Sequence, residues 1–155
     1  MKSTAACAFL LASFLLASTA SAASVWNGGG ADDNWTTTAN WGAPGSDGIP
    51  STDGTAEVQF DGSTRLTPTV DTHDPWAVGS IVFNSTADAF TIGGLEISLQ
   101  GSGQLMRNNS SATQTFNNDL QIDGAGWNTL TATSGDIVLN GAMDVQRSFA
   151  VRGGR

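Results

Sequence analysis

Apolar residues along this chain come in short runs, each bounded by turn-forming residues. They include "AEVQF" (Ala56 to Phe60), "SIVF" (Ser80 to Phe83), "AFTI" (Ala89 to Ile92) and "LEISL" (Leu95 to Leu99). "LQI" (Leu120 to Ile122), "TLTA" (Thr129 to Ala132) and "DIVL" (Asp136 to Leu139) continue the series, followed by "MDV" at Met143 and "FAV" at Phe149. Between the runs lie Asp47-Gly48, Asp53-Gly54, Asp61-Gly62, Asp123-Gly124 and Asn140-Gly141. Asp or Asn before Gly forms tight turns readily, because glycine takes a positive φ without steric penalty. Helical periodicity is sustained nowhere after residue 22. The pattern predicts an all-β chain.

Two architectures suit short strands. A β-sandwich requires hairpins joined by tight turns. A solenoid requires a strand-plus-turn unit that recurs. "SIVFNS", "EISLQG", "LQIDG" and "DIVLNG" read as weak copies of one phrase, with centres at Val82, Ser98, Gln121 and Val138. Their gaps of 16, 23 and 17 residues fit coils of about 20 residues, and residues 56 to 151 then supply roughly five coils. The parallel β-helix is the predicted fold, with the β-sandwich as its alternative. A solenoid needs a cover over its first coil, where apolar residues and a strand edge are otherwise open.

The stretch before the first long strand supplies candidates for that cover. "VWNGGGADDNWTTTANW" holds Trp26, Trp35 and Trp41 among Gly, Asn, Asp and Thr. Each indole buries on the order of 200 Å² when folded over a core. Asn27, Asp32, Asp33, Asn34 and Asn40 are suited to holding loop amides in Asx turns, and Gly28 to Gly30 let the chain bend. Buried against Val58, Phe60 and Phe83, the three indoles form a cap. Exposed and coplanar, they form a sugar-binding platform instead.

Composition narrows the setting. "MKSTAACAFLLASFLLASTASA" has Lys2, an apolar run from Ala5 to Ala17 and small residues at Ala20 and Ala22. This is the pattern of a secretory signal peptide, with cleavage expected after Ala22; the run is too short for a bilayer-spanning helix. Cleavage removes Cys7, the single cysteine, so no disulfide is expected. It also removes Lys2, leaving five arginines against 14 acids and moving the formal charge from −8 to −9. Such a surface repels nucleic acid and anionic lipid, so neither nucleic-acid binding nor membrane insertion is expected. The predicted organisation is a signal peptide at 1–22, a tryptophan-rich cap at 23–55 and a β-strand repeat region at 56–155.

"WNGGGADDNWTTTANW", followed by "STDGTAEVQFDGS" and "SIVFNSTADAFTIGG", resembles the start of bacterial autotransporter-associated β-strand repeat proteins. The likeness covers about Trp26 to Gly94 and fades through Asn140. It implies a right-handed parallel β-helix passenger with roles in surface display or adhesion, and it carries over no catalytic residue. The family's glycine-rich repeat phrases are absent, as are the long alternating strands of a translocator barrel. The chain, which stops at "FAVRGGR", is therefore expected to be an N-terminal piece that continues into or associates with further repeats, with a short family member as the alternative. The resemblance places it outside the cell or at its surface, outer-membrane-associated within a larger autotransporter. Its expected partners are extracellular glycans or the surface of a host or neighbouring cell.

Catalytic chemistry has thin support. His73, in "DTHDPW", is the single histidine and lies between Asp71 and Asp74. One imidazole with loop carboxylates makes a poor metal site, so His73 is expected to be an exposed loop residue. The nucleophile elbow of serine hydrolases is missing. A polysaccharide-degrading β-helix enzyme would draw on acids clustered on one sheet with bases beside them. Most acids here sit in turns, and Arg65, Arg107, Arg147 and Arg152 are scattered. EF-hand and nonapeptide calcium patterns are absent. Acceptor motifs at Asn34, Asn84, Asn108 and Asn109 are of the kind that polar loops produce by chance. The expected function is a non-catalytic structural passenger without metal or cofactor. A carbohydrate-binding module using exposed Trp26, Trp35 and Trp41 is the alternative.

Overall fold

The computed structural model describes residues 23–42 and 48–153. The expected signal peptide, Asp47 of the first turn pair and Arg155 lie outside the described residues. The strands pair in parallel and form three sheets that run the length of the stack. Sheet A holds β1 (Ser24–Trp26), β2 (Glu57–Phe60), β5 (Ser80–Phe83), β8 (Ser102–Asn108), β11 (Ala125–Ala132) and β14 (Phe149–Gly153). Sheet B holds β3 (Thr69–Val70), β6 (Thr91–Gly94), β9 (Gln114–Phe116) and β12 (Ile137–Leu139). Sheet C holds β4 (Trp76–Val78), β7 (Ile97–Leu99), β10 (Leu120–Ile122) and β13 (Met143–Val145). Each coil visits A, B and C in turn, so the molecule is a three-sided parallel β-solenoid of about four coils. The sandwich alternative falls, since a sandwich pairs its strands antiparallel.

Register shows why the coils stack. Val58, Ile81, Met106 and Leu130 stand above one another on sheet A. On sheet C, Trp76, Ile97 and Leu120 form one column, and Val78, Leu99 and Ile122 a second. All ten are buried. Aromatic rings add a central stack: Phe60 and Phe83 lie 5.2 Å apart at 18°, and Phe116 meets Phe83 edge to face at 5.8 Å. The true coil lengths, read from paired residues, run from 21 to 25 residues. Of the gaps expected from sequence, only the 23 residues between Ser98 and Gln121 join paired positions. Val82 lies on sheet A and Val138 on sheet B, so the gaps of 16 and 17 joined different faces.

Later coils carry polar groups inside. Asn108 continues the Phe60–Phe83 column, and its amide nitrogen donates to the carbonyls of Ala112, Gly135 and Asp136 at 2.9, 2.9 and 3.0 Å. Gln114 accepts from the backbone of Phe90 at 2.9 Å and donates to the carbonyls of Asp88 and Ala112. Buried amides are stabilising only when paired in this way. Burial also rules out Asn108 as a glycan acceptor in the folded chain. The last described coil leaves its interior side chains more open, with Met143, Val145 and Val151 exposed by 41, 40 and 71%.

The corner from sheet C to sheet A is built on glycine. A side chain at Gly101 would lie on the carbonyl of Gly79, and one at Gly124 on the carbonyl of Gly101. Coils this close tolerate no β-carbon. Gly101→Ala is expected to destabilise the protein by about 1–3 kcal/mol, whereas Gly93→Ala, with open space around the added atom, is expected to be nearly neutral. Denaturant midpoints of the two variants check the contrast.

Candidate functional site: the tryptophan cap

Trp26, Trp35 and Trp41 are buried, at 0, 0 and 2% exposure. They are not coplanar. Trp41 meets Trp26 at 5.1 Å and 84°, and Trp35 at 5.4 Å and 85°. All three indoles surround Phe60, with ring centres 6.2 to 6.4 Å away. Edge-to-face packing suits the ring quadrupole, which is positive at the edge and negative on the face. A sugar platform needs open, aligned faces, and these rings offer none. Trp76 of the first coil joins the cluster, 5.4 Å from Trp35.

The cap also closes strand edges. β1 pairs with β2 through Ser24, Val25 and Trp26, extending sheet A by one strand. At sheet B, Trp35 N–H donates to the Thr69 carbonyl at 2.9 Å, and Thr69 N–H to that of Asp33 at 2.7 Å. At sheet C, Gly54 N–H donates to the Ala77 carbonyl at 3.3 Å. All three faces of the first coil thus receive backbone partners from the segment before it. Beyond β1, the described residues of this segment hold an isolated parallel bridge, Asn34 to Thr69, and one 3₁₀ turn, Thr38–Asn40.

Polar side chains hold the loops in place. Asn40, the last residue of a 3₁₀ turn, Thr38–Asn40, is fully buried. Its carbonyl oxygen accepts from Gly30 N–H at 2.8 Å, and its nitrogen donates to the carbonyls of Asp32 and Asn34, both at 3.0 Å. Asn27 and Asp32 make short-range turns onto Gly29 and Asn34 N–H. Trp26 Nε1 donates to the Arg65 carbonyl at 3.2 Å and Trp41 Nε1 to the Trp35 carbonyl at 2.6 Å. Trp35 and Trp76 keep buried indole N–H groups without a hydrogen-bond acceptor; both rings sit edge-on among aromatic neighbours.

Sequence reasoning missed Arg65. Its Nε donates to the Gly30 carbonyl at 2.8 Å, and its Nη1 pairs with Asp33 at 3.0 Å. One side chain therefore ties the first coil to the glycine bend of the cap. Nothing in "STRLT" marks that role, which depends on a contact 32 residues away in sequence.

Electrostatics separates the acids into two groups. Bonds from Thr67 and then Arg65 hold the Asp33 carboxyl below the ordinary value of 3.8. Bonds from the Thr37 hydroxyl and then Asn34 N–H lower Asp32. The Thr55 hydroxyl and its N–H do the same for Asp53, as its turn role requires. Glu96 behaves oppositely. Burial first, then the carboxylates of Asp74, Asp119 and Asp144, push it above its ordinary 4.5. His73 is exposed in its loop and lies edge-on to Trp76 at 5.0 Å. Among the described residues, no three His, Cys, Asp or Glu side chains are grouped to hold a metal ion.

Two outcomes follow for the cap and its acids. Trp35→Ala removes a buried indole and is expected to destabilise the first coil by about 3–5 kcal/mol, measured by denaturant unfolding against the exposed-site control Trp127→Ala. The acids give opposite signs in pH-dependent melts. Stabilisation through Asp32 and Asp33 is present above their ordinary value and is lost as pH falls through the lowered one. Glu96 favours folding below its ordinary value, and that advantage is lost as pH rises through the raised one. Glu96→Gln should therefore raise the melting temperature at pH 7 and leave it nearly unchanged at pH 4.

No family model, no curated protein and no solved structure matches the chain.

Proposed function

We propose that this chain is a non-catalytic, exported scaffold: the capped N-terminal part of a β-solenoid passenger that holds polar loops away from a cell surface. The observation that carries this reading is the closed end. Three buried tryptophans and backbone bonds to all three sheets seal the first coil, so the stack has a defined start. Further coils, in this polypeptide or another, extend it by covering Met143, Val145 and Val151.

Support for a structural role comes from where the acids act. Asp32, Asp33, Asp53 and Asp61 each accept bonds from nearby loop groups, so their carboxylates are engaged in shaping turns. Export rests on the leader pattern at 1–22, and the resemblance to autotransporter-associated β-strand repeat proteins supplies the passenger class.

Expression of the full chain in a Gram-negative host tests both halves. Mass spectrometry is expected to find a mature chain beginning at Ala23 in the medium or in the fraction released when spheroplasts are made, and that released chain is expected to resist protease as a folded solenoid. A full-length chain retained in the cytoplasm would sink the proposal.

A further inference from the structure

Outside the cap, one tryptophan is placed quite differently. Trp127 is 81% exposed, while Trp26, Trp35, Trp41 and Trp76 are at most 2% exposed. It lies on β11 at a register shift: Ala125 pairs with Ser102 and Thr129 with Gln104, so β11 carries two more residues than β8 between these pairs. Gly126, Trp127 and Asn128 there face Gly103 alone, and β8 regains one residue, Leu105, before Leu130 pairs with Met106. Asn128 turns inward, is buried, and donates to the Gly124 carbonyl at 2.6 Å. Its neighbour Trp127 consequently points outward, as alternation along a strand requires. β14 pairs with β11 from Asn128 onward, one residue after Trp127. A bulge held by a buried amide re-aims a side chain deliberately.

An open groove of about 380 Å³ lies on sheet A, lined by Glu57, Ser80, Val82, Ser102, Gln104 and Arg107 with the glycine corner at Gly79 and Gly101. Ser102 and Gln104 pair with Ala125 and Thr129 on the next coil, and Trp127 lies between those two residues. From β2 to β11 the lane crosses three coil steps, about 14 Å along the axis at ~4.8 Å each. The polar groups along it are planar and keep bonding capacity to spare. Arg107 donates one bond, from Nη1 to Gln104 at 3.2 Å, and a guanidinium carries five N–H donors. Glu57 accepts one bond, from Gln59, and a carboxylate accepts several.

We propose that this lane binds an uncharged polysaccharide chain, which stacks a sugar ring on Trp127 and sets its hydroxyls against Arg107, Gln104 and Glu57. Sugar rings present an apolar C–H face and a rim of paired donors and acceptors. An exposed indole suits the first and planar carboxylate, amide and guanidinium groups suit the second. Glu57 in the lane and the excess of acids over the chain disfavour a polyanionic glycan. A groove open along its length lets a continuous polymer lie along it rather than enter by one end. The inference stands apart from the export proposal, since binding is measured on purified protein.

Trp127 is also its own reporter, because the other four indoles are shielded from solvent. Fluorescence titration and calorimetry with neutral oligosaccharides (cello-, xylo- and manno-oligosaccharides), against polygalacturonate, test the proposal. At least one neutral series is expected to shift Trp127 emission to the blue, with binding at least tenfold weaker in Trp127→Ala and measurably weaker in Arg107→Gln. Melting curves matching the parent protein establish that both variants remain folded. No signal from any neutral series at millimolar concentration, unchanged binding by Trp127→Ala, or binding of polygalacturonate alone would each overturn it.

Discussion

A stack of parallel coils buries its apolar side chains only between neighbours, so its first layer is the constraint on which the rest depends. Without a cover, Phe60 and the edges of β2, β3 and β4 would face water. Apolar area left in water forfeits about 25 cal/mol per Å², and an unpaired strand edge invites pairing with other chains. The segment before the first coil answers both needs at once. Its indoles fill the apolar end, while its backbone continues each sheet in turn. The remaining coils then repeat a solution already in place.

Close approach is the second consequence of stacking. Where sheet C turns into sheet A, the backbone of one coil passes so near the next that a β-carbon has no room. Glycine at Gly101 and Gly124 is thus required by sterics between layers and not by turn geometry. The same bareness leaves the outer corner smooth, so a packing requirement inside shapes a surface feature outside.

Much of the fold is legible in the chain because strands of a solenoid end sharply. The runs at Ser80 to Phe83 and Leu120 to Ile122 coincide with β5 and β10. The strands that escaped notice have physical reasons for doing so. β3 spans only two residues. β9, "QTF", places a glutamine inside, where an apolar residue would have marked the strand. β8 mixes Gly, Gln and Arg on its outer positions, and β4 starts at Trp76 directly after a loop that ends in Pro75. Coil length was obscured because similar phrases fall on different faces. The burial of Trp26, Trp35 and Trp41 could be argued from the needs of the first coil. The clamp by Arg65 and the outward turn of Trp127 depend on register, and register has no local signature.

The interior changes character along the axis: indoles at the closed end, phenyl rings through the middle coils, and carboxamides at Asn108, Gln114, Asn118 and Asn128 further on. Aromatic contacts are tolerant of small shifts, while a buried amide one residue out of place is left without partners and costs about 1–3 kcal/mol. Asn108 reaches forward to the coil that follows, and Gln114 and Asn118 reach back to the one before. A chain laid down from its N-terminus therefore begins on a forgiving seed and continues under stricter rules. A turn out of register by one residue would carry that penalty at every amide it buries, so the carboxamides hold the coils to a single alignment that the aromatic rings alone would not enforce.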